Sequence, residues 1–244
     1  MSRLLLAVVA LLLSYPLQAA EPDWSGYRQL LQEHVRSGEL EGVKLTLVDY
    51  PAWQNNPLWP QVVEQLNTYP ADQLQTRAEK LAFYINAYNI LAIKMVLDNW
   101  PLDGIRDAGS LLFPVWRKDV GQLHGKTVTL QQVEDDMIRS LNEPRIHMAI
   151  VCASVSCPDL RPEPYTAAQL EQQLEEQARA FLHNDAKGVR INGNDVEVSK
   201  IFDWFEKDFA DAGGVKAFIE RYRPLPAQSS IDDYLDYNWN LNRQ

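Results

Sequence analysis

The feature that most constrains the fold is a helix-forming stretch that is apolar around its whole circumference. From Asp72 to Trp100, DQLQTRAEKLAFYINAYNILAIKMVLDNW has the length and composition of one long helix that ends before Pro101. Between Leu81 and Leu97 the apolar side chains do not form a single stripe, which is typical of a helix buried on all sides. The sequence therefore predicts a large core built around one central helix.

The rest of the chain mixes strand and helix patterns. VRINGNDVEVS at 189–199 and VGQLHGKTVTL at 120–130 predict two β-hairpins, and the apolar stretch 145–152 predicts a buried strand. These segments do not show the regular strand–helix alternation of a doubly wound sheet. The predicted class is α+β: a single domain with a long buried central helix, a small mainly antiparallel sheet and peripheral helices.

The N-terminus has the layout of a secretory signal peptide. Arg3 precedes an unbroken apolar run from Leu4 to Leu13, and small residues follow near Ala19. The run is shorter than the roughly 20 residues that a membrane-spanning helix needs. We expect cleavage after residues 1–19, to within one residue, leaving 20–244 as one α+β domain. That domain is expected to be periplasmic or secreted, with no membrane insertion after signal cleavage.

Charge and motifs exclude several partner classes. The chain has a net charge of −10, which repels phosphate backbones, so nucleic acid is not an expected partner. No Gly-rich phosphate loop, G-x-S-x-G elbow or H-E-x-x-H motif is present, and we predict no cofactor. The expected partner is a small molecule or peptide, and the sequence does not indicate an oligomeric state.

One stretch, RIHMAIVCASVSCPDLRP at 145–162, holds both cysteines and His147. A cysteine nucleophile needs an imidazole to lower its pKa, and that imidazole needs an orienting group. We predict Cys152 as the nucleophile, with Cys157 as the alternative, and His147 as the base. Glu79 or Asn86 is the candidate orienter.

Strand geometry opposes this dyad. Residues five apart on a straight strand face opposite sides, so His147 and Cys152 meet only if the strand ends or bulges first. Cys157 could instead return on the following loop. The small residue Ser154 permits such a turn and could donate a hydrogen bond to an oxyanion.

Two other interpretations of the cysteines remain open. Cys152 and Cys157 are close enough in sequence for a disulfide, and an oxidising compartment would favour it. A metal site would use His147, both cysteines and Asp159, but this spacing is not a usual zinc pattern, and we predict no metal.

The polar residues of the central helix have both structural and functional interpretations. Glu79 follows Thr76 in a capping-box pattern, or it faces the site. Asn86 and Asn89 either line a polar pocket or tie the helix to irregular loops, since unpaired buried amides cost about 1–3 kcal/mol. Arg161 either clamps a substrate carboxylate or pairs with Glu79.

Tryptophans such as Trp100, Trp116 and Trp204 occur singly beside apolar runs, which predicts packing roles and not a carbohydrate-binding platform.

Four stretches resemble one known family. They are AEKLAFYINAYNILAI, HGKTVTLQQVED, RIHMAIVCASVSCPDLRPEPYTAAQL and the closing YNWNLN. Together they are similar to the bacterial, exported branch of the domain of unknown function 547 family, with the family core at about 76–185. The resemblance implies membership but no activity. The family pattern tolerates serine where Cys157 stands, which favours Cys152 as the essential thiol.

Two functions follow as hypotheses. The first is an exported thiol-dependent hydrolase or acyl transferase that acts on a small amide, thioester or peptide-like substrate, with Asn86, Asn89, Arg161 and Ser154 binding it. The second is a non-catalytic periplasmic binding or interaction module in which Cys152 and Cys157 are bridged.

Overall fold

The 22-residue helix Arg77–Asp98 forms the centre of the structure. The coordinates are a computed structural model that describes residues 21–110 and 112–244, without the side chain of Asp232, so the predicted signal peptide at 1–19 lies outside the described residues. The helices are α1 Ser25–His34, α2 Tyr50–Gln54, α3 Trp59–Thr68, α4 Arg77–Asp98, α5 Leu130–Gln132, α6 Leu170–Leu182, α7 Ile201–Trp204 and α8 Gly214–Glu220. The strands are β1 Val35–Leu40, β2 Val43–Val48, β3 Asp119–Leu123, β4 Lys126–Thr129, β5 Val189–Asn192, β6 Asp195–Val198 and β7 Ile231–Tyr234.

Helix α4 confirms the predicted central helix. Nearly every side chain from Leu81 to Leu97 is buried, and the exceptions are Tyr84 and Lys94, which are partly buried. The helix begins at Arg77, later than the pattern predicts, because Thr76 caps it and Ala71–Gln73 forms a separate 3₁₀ turn. Within the described residues α4 is the one helix long and apolar enough to cross a membrane, and 83% of its most apolar window is buried inside the protein.

The strands form three small sheets instead of the single small sheet predicted. Antiparallel hairpins pair β1 with β2, β3 with β4 and β5 with β6, and β7 adds in parallel to β6. The mixture of helices and small, mainly antiparallel sheets confirms the α+β class.

The predicted strand at 145–152 is wrong. The chain forms a 3₁₀ helix at Pro144–Met148, with Glu143 accepting a hydrogen bond from the backbone N–H of Arg145. The amides of Ala149 and Ile150 then donate to the carbonyl of Ile146. Apolar composition indicated burial correctly, but burial does not require a β ladder.

Two hydrophobic clusters meet near this 3₁₀ helix. The larger one surrounds α4, while the smaller one contains Phe202, Phe209 and Phe218 together with the inner face of α6. Met148 belongs to the smaller cluster, and Tyr237 packs against both. The segment that follows Met148 therefore lies at the boundary between the two clusters.

Candidate functional site

Asn89 fixes the start of the cysteine-containing loop. Its amide donates to the carbonyl of Ala149 at 3.0 Å, and its carbonyl accepts from the backbone N–H of Val151 at 2.8 Å. Both loop groups are buried and neither is part of a strand, so they depend on this side chain for hydrogen bonds.

Asn86 makes the same double contact at the other end of the loop. It donates to the carbonyl of Tyr165 at 2.8 Å and accepts from the N–H of Tyr165 at 2.9 Å. Asn86 and Asn89 therefore hold both ends of an irregular segment against α4. The structure places them as ties between helix and loop, and neither lines the cavity described below.

The C-terminal segment covers the middle of this loop. The amide of Val155 donates to the carbonyl of Asn240 at 2.9 Å, and the amide of Asn242 donates to the carbonyl of Ala153 at 3.0 Å. The short antiparallel bridge between Ser154 and Leu241 continues the contact. This pairing explains why the closing YNWNLN accompanies the cysteine-containing stretch in the sequence pattern.

A turn at Ala153 brings the cysteines together. Ala153 has a φ of 61°, in the left-handed region that non-glycine residues seldom adopt. The Cα atoms of Cys152 and Cys157 lie 6.0 Å apart, and the two sulfurs are at disulfide distance and joined. The chain between Val151 and Pro158 thus folds back on itself, as a bridge requires.

The sulfurs receive hydrogen bonds from three directions. The Tyr237 hydroxyl lies 3.3 Å from Cys152 Sγ and 3.2 Å from Cys157 Sγ. The Ser154 hydroxyl lies 3.0 Å and 3.3 Å from the same two atoms. The backbone N–H of Cys152 donates to Cys157 Sγ at 3.0 Å. Since bridged sulfurs carry no proton, both hydroxyls act as donors.

Above the disulfide lies a cavity of about 420 Å³ with largely aromatic walls. Trp204 stacks on Trp239 with ring centroids 5.6 Å apart, and Tyr237 lies 4.5 Å from Trp239. Arg106 lies over the Trp239 ring, 5.1 Å from its centroid. Its lining includes Tyr88, Trp116, Glu134, His147, Cys152, Cys157, Trp204, Tyr237 and Trp239.

Glu134 is the most perturbed acid in this cavity. Burial raises the pKa of Glu134 to about 7, and the neighbouring charge of Asp135 adds to the effect. A hydrogen bond with the Tyr88 hydroxyl opposes the shift in the pKa of Glu134 without cancelling it. The side chain lies in the π-helix Val133–Ile138 that continues α5. Near neutral pH this carboxyl can therefore donate or accept a proton inside an apolar pocket.

His147 lines the same cavity and is oriented by Asp208. Its Nε2 lies 2.8 Å from Asp208 Oδ2, and its ring stacks on Phe205 with centroids 4.2 Å apart. Burial lowers the pKa of His147 and outweighs the opposing effect of Asp208. Arg139 holds Asp208 with two hydrogen bonds of 2.6 and 2.8 Å, and hydrogen bonds from Arg139 and His147 hold the pKa of Asp208 well below its usual range.

Two predicted site residues lie elsewhere. Glu79 is the capping-box residue of α4: its carboxylate accepts from the amide of Thr76 at 2.7 Å, and it lines a small separate cavity. Arg161 forms ion pairs with Glu163 and Glu176 and not with Glu79. Neither side chain lines the cavity above the disulfide.

The site contains residues that the sequence did not single out. Asp208 takes the orienting position predicted for Glu79. Glu134 lies within the HGKTVTLQQVED stretch, where the sequence predicts no site residue. Trp116 and Trp204, expected only to pack, line the cavity. No local motif marks these positions, because they converge from three separate segments of the chain, near residues 116, 134 and 204–208.

Metal binding has little support among the described residues. Within them, no group of three or more histidine, cysteine, aspartate or glutamate side chains could hold a metal ion. Asp159, the fourth ligand of the metal interpretation, instead pairs with the buried ammonium of Lys187 at 2.8 Å.

The comparisons with known proteins gave one result. Residues 71–182 match the family model described as protein of unknown function, DUF547. This match supports the family resemblance and does not identify a branch. Neither the curated proteins nor the solved structures gave a match.

Proposed function

We propose that this protein, whose residues 71–182 match the DUF547 family of unknown function, is an exported binding module. Its ligand would be a small organic molecule or a short peptide held in the aromatic cavity. The observation that carries this proposal is the cavity itself, about 420 Å³ in volume, with the disulfide as its floor. Pockets of this size, mostly apolar and with few polar groups, are typical of small-molecule sites.

The lining indicates the chemistry of the ligand. Trp204, Trp239 and Tyr237 offer flat apolar surfaces, which favour aromatic or aliphatic groups. Glu134 can donate a hydrogen bond when protonated and accept one when ionised, so it can pair with an amide or an amine. This combination favours a ligand with an apolar body and an amide-like polar group.

The test uses N-acetylphenylalaninamide as a probe. We expect saturation-transfer NMR to detect binding to the wild-type protein, with a Kd on the order of 1 mM, as for a fragment with a free energy of about −4 kcal/mol. Trp204→Ala should weaken binding about tenfold, because it removes one aromatic wall worth about 1.5 kcal/mol. Trp204 is 44% exposed, so its truncation leaves the fold intact.

Leu112→Ala is the matched control. Leu112 is 82% exposed and does not line the cavity, so its truncation should not change the Kd. Equal affinity of the wild type and Trp204→Ala, or no binding to the wild type, would contradict the proposal.

A thiol-dependent hydrolase or acyl transferase is the second candidate. One observation favours it: His147 and Cys152 line the same cavity, and Asp208 orients the imidazole. This activity requires reduction of the disulfide, because a cysteine sulfur attacks a carbonyl as a thiolate and not while it is bridged. Hydrolysis of p-nitrophenyl acetate by the reduced wild type, lost in Cys152→Ser and kept in Cys157→Ser, would support it. Equal rates in the two variants would argue against it.

A further inference from the structure

The two sulfurs of the disulfide have different environments. Both cysteines line the cavity, but Cys157 is only 2% exposed, whereas Cys152 is partly buried and presents more surface. Cys157 Sγ also receives one donor that Cys152 Sγ lacks, the backbone N–H of Cys152 itself at 3.0 Å. An incoming reagent in the cavity therefore meets Cys152 first.

This asymmetry suits Cys152 Sγ as the attacked sulfur and Cys157 Sγ as the leaving group. In thiol–disulfide exchange, a thiolate attacks one sulfur, and the reaction is faster when the other leaves as a stabilised thiolate. Three donors surround Cys157 Sγ: the Cys152 N–H, the Ser154 hydroxyl at 3.3 Å and the Tyr237 hydroxyl at 3.2 Å. Hydrogen bonds to a charged acceptor are about twice as strong as those to a neutral one. The donors thus stabilise a Cys157 thiolate more than they stabilise the bridge.

The cavity also holds a base for the incoming thiol. His147 is buried, and its Nε2 bonds to Asp208, so a neutral ring carries its proton on Nε2 and its lone pair on Nδ1. No hydrogen bond to Nδ1 is seen among the described residues. Because His147 lines the cavity, Nδ1 is the atom that would take the proton of a thiol bound there.

We propose that the Cys152–Cys157 disulfide is an exchange site for a low-molecular-weight thiol bound in the aromatic cavity, a proposal that rests on the proposed binding function. The thiolate attacks Cys152 Sγ, a new S–S bond forms, the old one breaks, and Cys157 leaves with the electron pair. A second thiol then attacks the mixed disulfide. In total, two thiols are oxidised to one small disulfide while the protein bridge is reduced to two thiols.

The first experiment measures exchange in the folded protein. Wild-type protein is incubated with reduced glutathione without denaturant, and free thiols are trapped with N-ethylmaleimide for intact-mass analysis. We expect the bridge to open while the protein remains folded. Tyr237→Phe should slow opening about tenfold, because it removes a donor to the leaving thiolate. Tyr234→Phe, a change on the same C-terminal segment outside the cavity, should leave the rate unchanged. Opening only after unfolding with urea would overturn the proposal.

The single-cysteine variants test the asymmetry. Cys157→Ser and Cys152→Ser lose the same bridge, so their stability losses are matched. With oxidised glutathione, the Cys152 thiol of Cys157→Ser should form a mixed disulfide at least ten times faster than the Cys157 thiol of Cys152→Ser. Equal rates would overturn the assignment of Cys152 as the attacked sulfur.

S-methylglutathione separates this proposal from the binding function. It matches the thiol in size but cannot exchange. If it binds while glutathione leaves the bridge intact, the exchange proposal fails and the binding function stands. If neither binds nor reacts, the exchange proposal fails, while the binding function is decided by N-acetylphenylalaninamide. Opening of the bridge by glutathione, competed by S-methylglutathione, would support both.

Discussion

Glu134 is a carboxylic acid that the fold holds near its titration point at neutral pH. Burial in the cavity wall raises its pKa from an ordinary 4.5 to about 7, so the folded protein favours the protonated form. Below about pH 4.5 the Glu134 carboxyl is protonated in both the folded and the unfolded state, and its contribution to the free energy of unfolding is fully present. That contribution is lost as the pH rises through about 7, because the carboxyl ionises more readily in the unfolded state than in the folded state.

Glu134→Gln should therefore be more stable than the wild type at pH 8 and equal to it at pH 4. We expect a difference of about 2 kcal/mol at pH 8, since a pKa unit is worth about 1.4 kcal/mol and the cavity admits some solvent. Urea denaturation at the two pH values measures it. Asp136→Asn, which removes an exposed carboxylate from the same π-helix, is the control. A Gln variant that is less stable at pH 8 would contradict the raised pKa of Glu134.

Single residues show how far the sequence could predict the site. The cysteine pair and His147 were found from composition alone, because few residue types support thiol chemistry. Asp208 was not, since it lies 61 positions from His147 and only tertiary packing brings the two together. Glu134 could not be predicted from the sequence, because its raised pKa depends on burial, and the sequence does not show which acidic side chain is buried.

At the scale of elements, α4 organises the site through its two buried amides. Asn89→Ala would leave the Ala149 carbonyl and the Val151 N–H without their partner in a buried position. We expect a loss of about 2–4 kcal/mol of unfolding free energy, the penalty for two unpaired buried groups. Chemical denaturation measures the loss. Asn55→Ala, at an exposed side chain that bonds only to Pro51, should cost under about 0.5 kcal/mol. Equal losses at the two positions would remove the argument that Asn89 fixes the loop.

Element prediction succeeded where the pattern was long and failed where it was short. Helix α4 follows from an apolar pattern sustained over many residues, and the hairpin of β5 and β6 follows from alternation on both sides of a turn, with Val189 paired to Val198. The stretch 145–152 was predicted as a strand because a short, mainly apolar run does not distinguish a strand from a buried 3₁₀ helix such as Pro144–Met148. Because this segment is not a strand, the objection that His147 and Cys152 face opposite sides of a strand no longer applies.

At the scale of the whole molecule, the disulfide is a small contributor to stability. It closes a loop with a sequence separation of only 5, so chain entropy predicts a contribution of about 2 kcal/mol. The two hydrophobic clusters supply far more, and the reduced protein should remain folded.

Reduction should lower the Tm by about 4–8 °C without loss of cooperative unfolding, as about 2 kcal/mol implies for a chain of this size. Calorimetry with and without tris(2-carboxyethyl)phosphine measures the shift. The double variant Cys152→Ser with Cys157→Ser should already have the lower Tm and show no response to the reductant. An unfolded reduced protein would mean that the bridge is required for the fold.

The C-terminal segment sets the order in which the cavity can be completed. Residues 240–243 contact three distant parts of the chain, through bridges from Asn240 to Gly104, Leu241 to Ser154 and Arg243 to Val48. Tyr237 and Trp239, which complete the cavity wall, arrive with that segment. During synthesis these residues follow all the elements that they join. A nascent chain therefore holds its cysteine loop uncovered until residues 237–243 emerge, and only then is the aromatic wall of the cavity complete.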